Sequence, residues 1–188
     1  DYLCFFGTNE SYAGTETETV QAFIEDYRRL MVDLNSQYSD NQARFILIGP
    51  AAFESSGDPL HPDADQQNEA LRIYRDAIAN LAQEMRLPFV DLFDATLAKF
   101  ASRPGLQYTV NGLHLNEAGD RLIADSLAQA IADKPLDTDA PEFAVVREWV
   151  NDKSWLHMQD YRMLNGWYVY GGRRTWDTET FPAEYRKI

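Results

Sequence analysis

The sequence predicts an α/β fold on a parallel sheet, from three observations: short apolar runs that do not alternate, helical periodicity between them, and their regular succession along the chain. A continuously apolar strand is covered on both faces, as in a parallel sheet. Parallel neighbours require a crossover connection of about a dozen residues or more, and a helix between strands supplies it with right-handed connectivity.

The first run, Tyr2 to Phe6, reads as a buried strand. Val20, Phe23, Ile24, Tyr27, Leu30, Met31 and Leu34 then recur on one helix face. Arg44 to Ile48 is the second strand, closed by Gly49-Pro50. Leu71, Tyr74, Ile78, Leu81 and Met85 mark the next helix, and Pro88 to Phe93 the third strand. Another helix is expected from an N-cap at Asn116, with Glu117 in its first turn, through Leu122, Ile123, Leu127 and Ile131 to about Asp133, where Lys134-Pro135 ends it. Residues 1–135 are thus one α/β domain. Residues 136–188 form an aromatic-rich extension: an acidic linker to Pro141, a partly helical stretch from Phe143 to Leu164, and a short strand at Trp167 to Tyr170 before Gly171-Gly172.

Composition narrows the function classes. At 45% hydrophobic and 13% aromatic residues, the 188-residue chain is globular and long enough for one main core. A net charge of −13 disfavours nucleic acid and anionic membrane surfaces, whose binding relies on clustered Lys and Arg. The lone Cys4 excludes an internal disulfide and a cysteine-based zinc site. No run approaches the roughly 20 apolar residues of a membrane span. No cofactor or metal motif is present: the loop around His61, with Asp58, Asp63 and Asp65, lacks regular ligand spacing and reads as a proline-fixed turn. The sequence opens directly on an apolar strand without leader or turn, and the expectation is that the natural N-terminus lies upstream.

Two segments can carry chemistry. Gly7-Thr8-Asn9-Glu10 follows the first strand, where ligands bind in open α/β sheets. Asn9 could donate an amide N–H to a developing oxyanion, or Gly7 and Asn9 could simply supply unusual turn angles. Asn111-Gly112-Leu113-His114 precedes a helix, and a histidine so placed could serve as a general base, or is a surface or capping histidine.

Together these blocks resemble those of SGNH (GDSL-type) hydrolases: Gly7-Thr-Asn9-Glu for the block written Gly-x-Asn-Asp, and Asn111-Gly-Leu-His114 for Asp-x-x-His. The resemblance covers about residues 1 to 133, the C-terminal part of such a protein. It implies a flavodoxin-like, three-layer parallel sheet (the SGNH hydrolase fold) whose N-terminal strands lie outside this chain. It further implies a serine acyl-enzyme ester hydrolase, with a small-molecule or carbohydrate ester as substrate and a carbohydrate acetylesterase as one form. Asn9 is then an oxyanion donor, Gly7 the glycine that lets the carbonyl approach, His114 the general base and Asn111 the residue at the triad-acid position. An extracytoplasmic setting is expected by the same analogy alone; the oligomeric state is left open.

The sequence departs from the family pattern in three ways: no Gly-Asp-Ser block or following glycine donor, Asn111 in place of the acid, and Glu10 in place of Asp. Ser11, Ser55 and Ser56 lack the glycine-flanked turn that exposes a nucleophile, so the chain alone is expected to be inactive. The alternative is a non-catalytic carbohydrate- or ligand-binding module on the same fold. A flavodoxin-like nucleotide binder is disfavoured, since no Gly-rich phosphate loop is present. In the tail, Trp149, Trp155, Trp167, Tyr168 and Tyr170 could stack on sugars or pack the extension, and His157 reads as a packing residue.

Overall fold

The computed structural model describes residues 1–38, 43–102, 105–132, 134 and 137–161. The chain divides into two compact units, Asp1–Leu136 and Asp137–Ile188. The first is built in the order β1 (Tyr2–Phe5), a 3₁₀ turn (Glu10–Ala13), α1 (Thr17–Ser36), β2 (Phe45–Ile48), α2 (Ala64–Met85), β3 (Phe89–Val90), α3 (Leu92–Phe100) and α4 (Glu117–Ala132).

The three strands form a parallel sheet in the order β1-β2-β3, with Cys4 opposite Leu47, and Ile48 opposite both Phe5 and Val90. Side chains alternate between the faces of a strand, so each face of β2 meets a different layer. Phe45 and Leu47 join Cys4, Tyr27, Met31, Ile78 and Leu81 in a core with α1 and α2. Ile46 and Ile48 pack with Val90, Leu92 and, from α4, Ile123 and Leu127. The result is three layers: α1 and α2, the sheet, and α4.

Burial is uneven along the sheet. Leu47 and Ile48 are completely buried, whereas Leu3 and Phe5, on the α4 side of β1, are 49% and 50% exposed. The double burial expected of all the strands therefore holds for β2 and not for β1. Tyr27 ties β1 to α1 by donating its hydroxyl to the Cys4 carbonyl at 3.2 Å, and burial raises the pKa of the Cys4 thiol.

The third strand is shorter than predicted. Asp91, expected inside it, accepts a hydrogen bond from the Asp94 N–H and caps α3 instead, so Leu92 and Phe93 enter a helix. Arg75 braces this junction by reaching Asp91 at 2.7 Å and Asp94 at 3.1 Å. Burial works against its charge, but Asp91, Asp76 and Asp94 outweigh it and raise its pKa. The expected cap of α4 is present, with Asn116 Oδ1 accepting from the N–H groups of Ala118 and Gly119.

In the second unit, α5 runs from Pro141 to Tyr161, so Pro141 opens a helix rather than closing a linker. Pro at the first helical position has no N–H to lose there. Trp149 and Trp155 are 68% and 67% exposed on this helix, and His157 is exposed. The strand expected at Trp167 to Tyr170 lies outside the described residues. No helix among the described residues is long and apolar enough to cross a membrane.

Candidate active site

A cavity of about 310 Å³ opens where all three strands end. Phe5, Phe6, Thr8 and Asn9 from the end of β1, Ile48 to Ala51 from the end of β2, and Leu92 after β3 line one part of it. Leu113, His114 and Leu115 line the other, beside Ile123. Asn9 and His114, more than a hundred residues apart in sequence, thus share one largely apolar cleft at the carboxyl edge of a parallel sheet. Ligands of open α/β folds bind at that edge.

The turn before Asn9 is built by its neighbours. Gly7 has φ +106°, which favours glycine, and a Cβ there would sit 2.9 Å from Ile78 Cδ1. Its N–H donates to Glu10 Oε2 at 2.7 Å and its carbonyl accepts from Ser11 N–H at 3.1 Å. Gly7 is buried and absent from the cavity lining, so it shapes the turn. Asn9 has ordinary right-handed angles, φ −67° and ψ −37°, and its side chain makes no capping bond. Turn chemistry therefore accounts for Gly7 and leaves Asn9 with an exposed amide at the rim of the cleft.

His114 sits in a loop closed by an isolated antiparallel bridge between Thr109 and Leu115. Val110 N–H donates to the His114 carbonyl at 2.8 Å. Asn111 Oδ1 accepts from the N–H groups of Leu113 at 3.2 Å and His114 at 2.9 Å, which fixes its side-chain orientation. His114 Nδ1 then lies 3.1 Å from Asn111 Oδ1 and 3.0 Å from Nδ2. Two tautomers fit these distances: Nδ1–H donating to Oδ1, which leaves Nε2 as a free base, or Nδ1 accepting from the amide. His114 is an exposed residue and lines the cleft.

Among the described residues no serine lines this cavity. Ser11 Oγ donates to the Thr8 carbonyl at 2.7 Å and Ser11 is buried at 7% exposure. Ser55 and Ser56 border separate clefts of the β2–α2 connection. That connection holds His61, whose N–H bonds to the Asp58 carbonyl at 3.0 Å in a turn. Among the described residues no group of three or more His, Cys, Asp or Glu side chains is placed to hold a metal ion.

Residues to which the sequence alone assigned no role also organise the site. Thr8 lines the cleft beside Asn9. Glu54, fully buried at 1% exposure, binds the segment before His114 through partners 53 to 55 residues away, a distance at which no local pattern signals it. Gly112 has φ +90°, and a Cβ on it would lie 2.2 Å from the Phe53 ring. Its place inside the Asn-Gly-Leu-His block was visible; the ring beneath it was not.

Known proteins similar to this chain are ester hydrolases by name and share its fold. The chain is 31% identical over 137 residues to the isoamyl acetate-hydrolyzing esterase of Saccharomyces cerevisiae, an alignment covering 68% of this chain and 54% of that protein. It is 24% identical over 143 residues to the GDSL esterase/lipase WDL1 of Oryza sativa subsp. japonica, covering 72% and 54%. The chain thus spans about half the length of these relatives. Among solved structures, a GDSL-like lipase from Parabacteroides merdae superposes with a TM-score of 0.56 at 18% identity, over 70% of this chain and 61% of that one. An acetyl xylan esterase superposes with a TM-score of 0.51 at 20% identity, over 69% and 65%. Both share the α/β fold. The GDSL-like lipase/acylhydrolase family model matches residues 2–122, the stretch that contains both Asn9 and His114, and the chain belongs to that family.

Proposed function

We propose that this chain supplies the histidine and the amide oxyanion donor of an ester hydrolase acting through a serine acyl-enzyme, the serine lying outside this chain. The observation that carries the reading is the single cleft shared by Asn9 and His114 at the carboxyl ends of the strands. Family membership supports ester hydrolysis, and the absence of a serine from the described residues that line the cavity is why the nucleophile is sought elsewhere.

In this mechanism His114 Nε2 takes the proton from the serine hydroxyl as its oxygen attacks the ester carbonyl carbon. The carbonyl π electrons move onto oxygen, and the Asn9 amide N–H bonds the oxyanion as charge develops. Collapse of the intermediate re-forms the carbonyl and expels the alcohol, which takes its proton from His114. Water then repeats the cycle on the acyl-enzyme and releases the acid. Asn111 holds the imbalance of this design: Oδ1 orients the ring through Nδ1–H but brings no full charge to stabilise the imidazolium. A small acyl group on a carbohydrate is the substrate proposed, by analogy with the acetyl xylan esterase of the same fold.

The test is hydrolysis of a small acetyl ester by the protein expressed from its full coding sequence, with and without His114→Ala. A rate loss of about 10³-fold or more is expected. Equal rates would remove His114 from the mechanism. The second reading, a non-catalytic module that binds an acylated ligand, is favoured by Asn111 alone; binding without turnover by the intact protein would establish it.

A further inference from the structure

We infer that Glu54 is a positioning residue for His114, its buried carboxylate fixing the segment from which the histidine loop hangs. The inference rests on the esterase reading for its effect on rate, though not for its geometry.

Glu54 is 1% exposed, and none of the ion pairs among the described residues includes it. A carboxylate removed from water needs donors, and here they come from three consecutive residues. Oε1 accepts from Gln107 N–H at 2.9 Å, and Oε2 from Thr109 N–H at 2.8 Å and Thr109 Oγ1–H at 2.7 Å. Tyr108 N–H is shared between the two oxygens at 3.2 and 3.1 Å. Three successive N–H groups converging on one carboxylate dictate the backbone path of residues 107–109. The Thr109 hydroxyl, while donating to Glu54, accepts from Gly112 N–H at 2.9 Å, and Glu54 N–H donates to the Gly112 carbonyl at 2.8 Å. These bonds end on the residue that follows Asn111 and lies two before His114.

Glu54 can act as a fixed point because its own chain is held. Ala52 N–H donates to Thr96 Oγ1 of α3 at 2.8 Å. Phe53 N–H and carbonyl are both bound by the Asn68 amide of α2, at 2.7 and 2.9 Å. A continuous set of buried hydrogen bonds therefore runs from α2 and α3 through Glu54 to the loop, so the ring position is set by the body of the domain. A purely structural carboxylate would stabilise the fold and leave the state of the imidazole unchanged.

The test reads the imidazole directly. In the ¹⁵N-labelled chain, two-bond ¹H–¹⁵N correlation of His114 is expected to show mainly the Nδ1–H tautomer. Glu54→Gln, which sets an amide NH₂ against backbone donors, and the milder Thr109→Val are expected to give mixed tautomers. Thr109→Ser, which keeps the hydroxyl, is expected to restore the pattern lost in Thr109→Val. Leu81→Ala, in the core between β1, α1 and α2, should lower stability and leave the tautomer alone. In the protein expressed from its full coding sequence, Glu54→Gln or Thr109→Val is expected to lower kcat on an acetyl ester, by up to about 10²-fold, with KM little changed. Wild-type tautomer and kcat in whichever of the two variants folds would overturn the proposal. Unchanged hydrolysis in His114→Ala, beside an altered tautomer in Glu54→Gln, would overturn the esterase reading alone.

Discussion

The turn that presents Asn9 and the loop that presents His114 meet in one cleft but are held in different ways. Hydrogen bonds in the first join residues three or four apart: Gly7 to Glu10, Gly7 to Ser11, Thr8 to Ser11. The second has local bonds of the same kind, from the Leu113 and His114 N–H groups to Asn111, but is anchored as well by Glu54, across more than fifty residues of intervening chain. A local turn is specified by its own few residues, whereas a braced loop inherits its shape from the packing of the domain. A disturbance far from the cleft should therefore reach His114 more readily than Asn9.

The two glycines give the largest expected contrast. A Cβ at Gly112 would lie 2.2 and 2.6 Å from ring atoms of Phe53 and 2.9 Å from the Glu54 carbonyl oxygen, at φ +90°. Strain of about 1–3 kcal/mol and overpacking of about 1–3 kcal/mol add, and Gly112→Ala is expected to cost about 4 kcal/mol of stability. At Gly7 the nearest atom is the flexible end of Ile78, so Gly7→Ala is expected to cost about 1–3 kcal/mol, close to the strain alone. Urea unfolding measures both. A Gly112→Ala loss no larger than that of Gly7→Ala would break the contrast between braced and local design.

Asn9 sharpens it from the other side. Its side chain makes no capping bond, so Asn9→Ala is expected to change stability by no more than about 0.5 kcal/mol. As an oxyanion donor it should still matter to rate, with kcat on an acetyl ester falling about 10²-fold. Parallel assays of unfolding and hydrolysis separate the two. A stability loss with unchanged kcat would return Asn9 to the role of a turn residue.

What the sequence disclosed follows the same division. Helix periodicity, the continuous run at β2 and the Asn116 cap are local signals, and each is found in the structure. The Gly7-Thr-Asn9 and Asn111-Gly-Leu-His114 blocks were visible as short patterns, and their convergence on one cleft followed from parallel topology. Asp91 was misread because a capping carboxylate after two strand residues looks the same as a polar residue inside a longer strand. Glu54 was not seen at all. Ala51-Ala-Phe-Glu54 carries no local pattern that marks it, and only the folded chain shows that the carboxylate meets three consecutive N–H groups.

Asn111 tests whether the braced loop lacks anything besides charge. Its Oδ1 already accepts from the Leu113 and His114 N–H groups and lies 3.1 Å from His114 Nδ1, so an Asp there keeps each of those bonds with the same side-chain shape. What changes is that a carboxylate has no N–H to offer, which leaves Nδ1–H as the tautomer that bonds to it and adds a charge beside the imidazolium. Asn111→Asp is therefore expected to raise kcat on an acetyl ester at neutral pH by about tenfold, a modest part of what the charge is worth in a complete serine triad. Two-bond ¹H–¹⁵N correlation should show the Nδ1–H form enriched in the same variant. A gain would establish that the loop geometry is catalytic and lacks only the acid. An active parent with no gain would mean that orientation by the amide suffices for His114, while an inactive parent that stays inactive as Asp would move the family member into the ligand-binding class.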